Sequence, residues 1–219
     1  RDMLWGGFLA LLWMLQITLN IFIARNMRRY GISEAMIPDI IQVFQLIIVV
    51  YFSSAFVLRF AFPSLALEKR TAWVIGSAPI ALEKIFVAKY AWYAALFSCI
   101  SLLAGTLNAS VLGISVGGAL IFIIFIVTAT ATTTAFGMGI AALFPNFETD
   151  DPQMISTSLP GLVYILLSLA YGAIGAWALY LFRVHGDISS FLLFILTSII
   201  AGAIIFQCAK HSFKTLELG

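Results

Sequence analysis

Charged residues are scarce in this sequence. They make up 10% of its 219 residues, where soluble domains carry roughly 25%, while 62% of the residues are hydrophobic. So little charge excludes an ordinary water-soluble surface. The net charge of +2 is small, and the basic residues are scattered, so the composition does not indicate nucleic-acid binding. The two cysteines, Cys99 and Cys208, lie in apolar runs, which predicts buried thiols rather than a disulfide framework.

Motifs for catalysis and nucleotide binding are also missing. The sequence contains no G-x-x-x-x-G-K-[ST] motif, so the protein cannot bind ATP phosphates through such a phosphate-binding loop. His185 and His211 are isolated, and no H-E-x-x-H motif, paired intramembrane carboxylates or nucleophile with an adjacent base is present. We therefore predict a chain that is not itself an enzyme, with no catalytic or metal-binding residues and no bound cofactor.

Long apolar runs dominate what is present. Segments of about 20 apolar residues can cross the ~30 Å hydrocarbon core as helices, whereas a membrane β-barrel would show alternating segments of about 10. The sequence predicts an all-α, polytopic membrane helix bundle that forms a single transmembrane domain over residues 1–219. The predicted spans are residues 4–24, 39–61, 86–107, 112–144, 158–182 and 189–208.

The fourth predicted span has the most small and hydroxyl-bearing residues. It contains five threonines between Thr128 and Thr134, followed by Gly137 and Gly139. Small residues let helices approach closely in lipid, and hydroxyl groups bond across helix interfaces. We expect this span to be central in the bundle, and we expect leucine at either glycine to destabilise it.

The distribution of basic residues predicts the orientation of the chain. With both ends cytoplasmic, eight of the twelve Lys and Arg residues lie inside and four outside, which follows the positive-inside bias. The loops that follow Phe62 and Leu143 then face the cytoplasm, and joins at 107–110 and 185–188 face outward. Near the span ends, Arg59 and Lys89 are predicted to be snorkelling anchors, and Asp39 to complement a helix dipole.

A charged, amphipathic stretch, Phe62–Lys84, separates the second and third spans. Pro63 is predicted to end the second span, and Ser64 to cap a short helix. Ser77 would cap a second helix, Ile80–Lys89, which leads into the third span. This hairpin can serve as an interfacial anchor, and its mixed charges also suit docking to a soluble protein.

The loop after the fourth span is acidic. Pro145 is predicted to stop the span, and Glu148, Asp150 and Asp151 place three carboxylates within four positions. Their spacing lacks the glycine and terminal glutamate of a calcium loop, so it does not favour a metal site. A solvated turn explains the cluster, and so does contact with basic residues, either of a partner or of the first loop.

Both loops resemble motifs of a known family. The run SLALEKRTAWVIGSAPIALEKIFVAK is similar to the pattern S-L-E-G-R-x-F-W-x-L-x-S-A-P of permease subunits of type-2 ATP-binding-cassette (ABC) exporters, a bacterial and archaeal group. The run ALFPNFETDDPQMISTS resembles that group's G-A-L-F-P-x-F-D-x-E-N-P-x-x-I-x-T-S. The two motifs occur in the family's order, two spans apart. The resemblance covers about residues 38–182, and the flanks match only in hydropathy.

The resemblance can be followed residue by residue, and it has departures. Lys69 replaces a glycine, Ala72 an aromatic residue, and Asp151 an asparagine. The residues that match the motifs are Glu68, Arg70, Trp73, Ser77, Ala78, Pro79, Phe144, Pro145, Phe147, Asp150, Pro152, Ile155 and Ser158.

The resemblance implies a permease that couples transport to ATP hydrolysis on a separate ABC ATPase subunit, which would hold ATP and Mg. It implies a plasma-membrane protein in the lipid bilayer, paired with a second permease half or a homodimer partner and moving an unidentified substrate. The scarcity of charge within the spans favours a lipid-like or amphipathic substrate. The implied ATPase contacts are Glu68, Lys69, Arg70, Trp73, Ser77, Pro79 and Glu83, and the implied second cytoplasmic loop contains Pro145, Phe147, Glu148, Asp150, Asp151 and Pro152.

Two other classes of function stay open. A membrane scaffold or assembly protein would need no ATPase, and an intramembrane enzyme would need a polar catalytic set inside the bundle. Such permeases resemble halves of longer chains, and this sequence begins with Arg1 rather than methionine. We therefore expect it to be the C-terminal part of a longer polypeptide.

Overall fold

The computed structural model describes residues 18–23, 25–27, 29–31, 33, 36–66, 82–144 and 151–215. Every regular element within these ranges is helical. The helices are α1 (Ile37–Phe56), a π-helical segment (Val57–Ala61), α2 (Phe62–Ala66), α3 (Leu82–Val111), α4 (Val116–Leu143), α5 (Pro152–Ser156), α6 (Leu159–His185) and α7 (Ile188–Thr215).

Five helical stretches in the described residues are long and apolar enough to cross a membrane. They are Ile37–Leu65, Glu83–Val111, Val116–Leu143, Leu159–His185 and Ile188–Ser212. They correspond to the second to sixth predicted spans, so the prediction of a polytopic helical membrane bundle is confirmed. Of the first predicted span, residues 18–23 are described and helical, and residues 4–17 lie outside the described ranges.

The second span does not end at Pro63, as the sequence had predicted. The chain stays helical from Ile37 to Ala66, because the π-helical segment joins α1 to α2 without a break. Proline lacks the backbone N–H that a helix interior requires, and the wider i→i+5 turn absorbs this defect. Ser64 is not a cap either. Its hydroxyl donates to the Ala61 carbonyl at 2.7 Å.

The join between the third and fourth spans also differs from the prediction. Residues 107–110 belong to α3, and the turn lies at residues 112–115. Asn108 is helical, and its side chain donates to the Ala104 carbonyl one turn earlier, at 3.2 Å. Gly113 supplies the positive φ (63°) of the turn, and Ser115 Oγ caps α4 by accepting from the Gly118 N–H at 3.3 Å.

The join between the fifth and sixth spans falls at the predicted place. Gly186 takes a left-handed conformation (φ 70°) at the end of α6. Asp187 then accepts hydrogen bonds from Ser189, through its N–H at 3.1 Å and its hydroxyl at 2.5 Å, and from the Ser190 hydroxyl. These hydrogen bonds favour the carboxylate, so they lower the pKa of Asp187. The ionised side chain thereby starts α7.

Helix α4 lies at the centre of the bundle, as its composition predicted. It contacts α1, α3, α6 and α7, which form a closed ring around it through the pairs α1–α6, α6–α7, α7–α3 and α3–α1. Its apolar window is 56% buried, the highest value of the five spans, whereas that of α7 is 17% buried. Of the contacts that close the ring, those between α1 and α3 are the thinnest.

Two glycines of α4 allow the neighbouring helices to approach closely. A Cβ atom on Gly137 would lie 2.2 Å from Val57 Cγ1, and one on Gly139 would lie 2.1 Å from Ile205 Cγ2. Gly137 also packs against the ring of Tyr164 in α6. Both glycines therefore occupy places where no larger residue fits without moving a neighbour.

The interior has two apolar clusters with a hydroxyl-rich layer between them. One cluster, near the loops, includes Phe86 and Met138, and the other includes Phe122 and Phe125. Between them, the hydroxyls of Ser53, Ser101 and Thr130 lie 3.0–3.4 Å from one another and join α1, α3 and α4. These three side chains satisfy each other without water, as polar groups in lipid must.

A charged contact lies at the end of the bundle opposite the loops. The Arg183 guanidinium donates to the Gly118 carbonyl at 2.5 Å and lies 3.7 Å from the Asp39 carboxylate. It thus connects α6, α4 and α1. Asp39 lies in the first turn of α1, where its charge also complements the helix dipole as predicted.

The cysteines are not buried, contrary to the prediction. Cys99 and Cys208 are both exposed on the outer surface of the bundle, among apolar side chains that would face lipid. Hydropathy does not distinguish the two positions, because a lipid-facing residue and a core residue are equally apolar.

The close approach at Gly137 predicts a large effect of a single methyl group. We expect Gly137→Ala to destabilise the bundle by about 1–3 kcal/mol, because the added Cβ would overlap the stiff side chain of Val57. Thermal unfolding of the purified protein in detergent measures this effect. Gly117→Ala is the matched control, since a Cβ there meets nothing within 4 Å. Equal midpoints for the two variants would contradict close packing at Gly137.

Candidate functional site

The two loops that carry the family motifs leave the same end of the bundle. Residues 67–81 connect α2 to α3, and residues 144–151 connect α4 to α5. At this end α5 contacts both α2 and the π-helical segment. These contacts link the helical segment that precedes the first loop to the short helix that follows the second loop. This junction, formed by the π-helical segment, α2 and α5, is the candidate coupling site.

The junction depends on a carbonyl group that Pro63 leaves without its helical donor. In the π-helical segment the Phe62 N–H bonds to the Val57 carbonyl five residues earlier. The next bond of this type would run from residue 63 to the Leu58 carbonyl, but proline has no N–H to donate. The Ser156 hydroxyl in α5 donates to the Leu58 carbonyl instead, at 2.8 Å. A hydrogen bond to the second loop thus replaces one missing from the helix.

Small and apolar residues bring α5 close enough for this bond. A Cβ on Gly161 would lie only 2.2 Å from the Ser156 carbonyl oxygen, so glycine is required where α5 turns into α6. Ile155 is 1% exposed and belongs to the apolar cluster formed with Phe62 and Leu65. The short helix is therefore held by packing as well as by its hydrogen bond.

Asp151, one of the three loop carboxylates, caps α5. Its Oδ1 accepts from the Gln153 N–H at 2.9 Å, and Pro152 occupies the first turn, where its missing N–H is tolerated. Glu148 and Asp150 lie outside the described residues. Within the described ranges, no three His, Cys, Asp or Glu side chains are gathered as a metal ion would need.

Two further polar contacts hold the start of α3, one to the junction and one to α7. Lys89 Nζ donates to the Ser64 carbonyl at 2.9 Å, which links α3 to the end of α2. Lys89 is therefore not only the membrane anchor that the sequence predicted. Glu83 pairs with Lys210 of α7 at 3.6 Å, with both side chains about one-third exposed. The predicted ATPase contact Glu83 thus has a partner within the bundle.

Most of the predicted coupling residues lie outside the described ranges. Of the predicted set, the structure describes Glu83, Asp151 and the backbone of Pro152. It brings Asp151 and Pro152 to the candidate coupling site, and it places Glu83 beside α7. The predicted residues outside the description are Glu68, Lys69, Arg70, Trp73, Ser77, Pro79, Pro145, Phe147, Glu148 and Asp150.

The residues that join the segments flanking the two loops carry little signal in the sequence. Ser156 is one hydroxyl in a run rich in Ser and Thr, and Leu58 takes part through its backbone, which carries no sequence signal. Pro63 was the one available clue. A proline within an otherwise helical apolar run leaves a carbonyl without a donor, so it invites a search for a donor elsewhere.

The junction is connected directly to the central helix. Val57, at the start of the π-helical segment, is fully buried against Gly137 of α4. At the other end of the segment, Phe62 packs against Tyr164 of α6, with ring centroids 6.3 Å apart. A displacement of the first loop along α2 would therefore reach α4 and α6 through packed side chains.

The fold and this junction define a multi-pass, α-helical membrane protein with a loop-linking contact at one end. Residues 1–207 match the model of a family described as "Putative ATP-binding cassette", so the chain belongs to that ABC-related family. The match extends beyond residues 38–182, to which the motif resemblance had been confined. Comparisons with curated proteins and with solved structures gave no match.

The missing helical bond predicts coupling between Pro63 and Ser156. We expect Ser156→Ala to destabilise the protein by about 0.5–1.5 kcal/mol, because the half-buried Leu58 carbonyl loses its donor. In a Pro63→Ala background the restored N–H can supply a donor, so we expect the same substitution to have a smaller effect. A double-mutant cycle on thermal unfolding in detergent measures this difference.

Thr157→Ala is the matched control for this cycle, because the exposed Thr157 hydroxyl bonds only within its own turn, to Gln153 at 2.9 Å and to Met154 at 3.4 Å. Its effect should be small in both backgrounds. An identical effect of Ser156→Ala with and without Pro63 would show that the two residues act independently.

Proposed function

We propose that this chain is the membrane-spanning permease subunit of an ABC exporter. The observation that carries the proposal is the junction at which the two motif-bearing loops are joined and linked to the central helix. Family membership, five membrane-spanning helices and the lack of a phosphate-binding loop in the sequence support it. ATP and Mg would be held by a separate ATPase subunit, and this chain would bind neither and catalyse no reaction.

The geometry suggests how ATP hydrolysis would reach the membrane path. Closure of the ATPase subunits would press on the loop of residues 67–81, which is joined to α2. The π-helical segment carries that displacement to Val57, which packs on α4, and to Leu58, which is bonded to Ser156. A shift of α2 would therefore be passed to α5, which follows the second loop, and to the central helix α4. Such a tilt would change which side of the membrane the path faces.

The substrate of such a permease would be uncharged or amphipathic. In the described part of the five spans, charged side chains lie towards the ends, as in the contact of Arg183 with Asp39. The middle of the bundle is lined by hydroxyl groups and apolar side chains. A strongly charged solute would meet nothing there to replace its water.

A membrane scaffold or assembly protein is the second candidate. The lipid-facing surface of α7 and the exposed apolar side chains of α6 could bind other membrane proteins. Gentle extraction of native membranes distinguishes the two functions. An ATPase recovered in stoichiometric amount favours the permease, and its reproducible absence favours the scaffold.

The proposed orientation, with both ends of the segment in the cytoplasm of a plasma-membrane protein, can be tested by cysteine labelling. In a variant lacking Cys99 and Cys208, we expect a membrane-impermeant thiol reagent to label His185→Cys in intact cells. We expect it to label Asp151→Cys only after permeabilisation, because Asp151 and His185 are exposed at opposite ends of the bundle. The reverse labelling pattern would invert the proposed topology.

The proposed coupling role predicts that reversing the charges of Glu68 and Arg70 separates insertion from transport. We expect Glu68→Lys with Arg70→Glu to insert normally and to lose the ATPase partner. Disrupting a desolvated charged contact weakens binding by about 2–5 kcal/mol, whereas an exposed pair contributes about 0–1 kcal/mol. Partner retention and ATP hydrolysis in reconstituted vesicles measure the loss.

Arg29→Glu serves as the control for this experiment, because Arg29 is an exposed arginine at the other end of the bundle. It should retain both the partner and the hydrolysis rate. If the Glu68 and Arg70 double variant inserts normally and both readouts stay at the parental level, the first loop is an interfacial anchor and not a coupling element.

A further inference from the structure

Four buried amide side chains lie together in the half of the bundle opposite the loops. Asn20, Gln42, Gln45 and Asn108 are between 0% and 3% exposed, and we call them the amide cluster. They come from the first predicted span, from α1 and from α3. Gln42 and Gln45 lie three residues apart, which places them on one face of α1 about 5–6 Å from each other.

The Ala104 carbonyl fixes how these amides are oriented. It accepts from Gln45 Nε2 at 3.4 Å and from Asn108 Nδ2 at 3.2 Å, so both NH₂ groups point toward it. Asn108 Oδ1 then faces Asn20 and accepts from its Nδ2. In Gln45 and Asn20 the NH₂ group donates one of these hydrogen bonds, so the other polar atom of each amide is the carbonyl oxygen.

This arrangement leaves strong hydrogen-bonding atoms without partners. Gln45 Oε1, Asn20 Oδ1 and both polar atoms of Gln42 are buried and make no hydrogen bond in the described part of the chain. An unpaired amide is costly in a medium that contains no water. By contrast, Ser53, Ser101 and Thr130 pair with one another in the layer below. The amide cluster therefore has polar atoms that could accept or donate further hydrogen bonds, and packing between helices does not explain their presence.

The cluster lies where the ring around α4 is thinnest. Gln45 and Ala104 face each other between α1 and α3, the ring neighbours that contact each other least. Separation of these two helices would expose the amides, and it would break the Gln45–Ala104 hydrogen bond and the weak contact of Ser53 with Ser101. Among the described residues, the cluster thus lies beside the sparsest helix contact of the ring.

We propose that the amide cluster binds the uncharged, hydroxyl-bearing head group of an amphipathic substrate, which rests on the function proposed above. Hydroxyl groups donate to the free oxygens of Gln45 and Asn20, and they both donate to and accept from Gln42. No charged side chain belongs to the cluster, so a neutral ligand suits it better than an ion. The apolar part of the ligand would lie against lipid or against the apolar surfaces of α1 and α3.

The test uses the full chain in phosphatidylcholine nanodiscs, with glucosyl diacylglycerol as the probe. We expect this lipid to raise the unfolding midpoint by roughly 3 °C, since a ligand stabilises the state that binds it. Diacylglycerol with the same acyl chains should give no shift. Fluorescence of the five tryptophans reports unfolding. No rise with the glycolipid would overturn the proposal.

Gln42→Leu identifies the site. Gln42 makes no hydrogen bond in the described structure, so leucine breaks none and should leave the midpoint without glycolipid unchanged or higher. We expect it to reduce the glycolipid shift to less than half. Gln207→Leu, at an exposed position of α7, should keep the full shift. An undiminished shift in Gln42→Leu would show that the glycolipid binds elsewhere.

Phosphatidic acid tests the chemical class of the ligand. It should give no shift that depends on Gln42, and a Gln42-dependent shift would contradict an uncharged ligand. These measurements need no ATPase subunit. A failure here leaves the proposed permease function intact, whereas loss of coupling through the first loop would leave the glycolipid shift unchanged.

Discussion

The close approach of helices to α4 is the constraint on which the rest of the bundle depends. Lipid supplies no hydrophobic force between apolar helices, so they associate through packing and interhelical hydrogen bonds. Gly137 and Gly139 let Val57 and Ile205 reach the backbone of α4. On the Val57 side, the hydroxyls of Ser53 and Thr130 also lie within bonding distance between α1 and α4, at 3.4 Å. A wider spacing between the helices would loosen the packing and break the hydrogen bonds of the hydroxyl layer.

That close packing gives the π-helical segment its importance. Val57 begins the segment and presses on α4, and Pro63 follows its end and leaves the Leu58 carbonyl to Ser156. One local irregularity in a helix therefore determines two contacts, one with the central span and one with the second loop. An unbroken α-helix would have satisfied Leu58 internally and would have left the second loop untied.

The polar groups of the bundle fall into two kinds with different consequences. Hydroxyl groups such as those of Thr133 and Thr134 donate to carbonyls of their own helix, so they need no hydrogen-bond partner on a neighbouring helix. The amides of Gln42 and Gln45 have longer side chains and more bonding atoms, and the helices around them satisfy only some of these atoms. The first kind makes the bundle cohesive, and the second leaves it with unmet bonding capacity in one half of the membrane.

Hydropathy by itself determined the helical class and the five described spans within a few residues, because these follow from local composition and from the thickness of a bilayer. The small and hydroxyl-bearing residues of α4 determined its central place. Hydropathy could not place the end of the second span, since Pro63 breaks a helix only when no wider turn absorbs it. It misplaced Cys99 and Cys208, because lipid and core are equally apolar. The Leu58–Ser156 bond and the amide cluster arose only in the tertiary structure, where backbone groups and residues 98 or 88 positions apart meet.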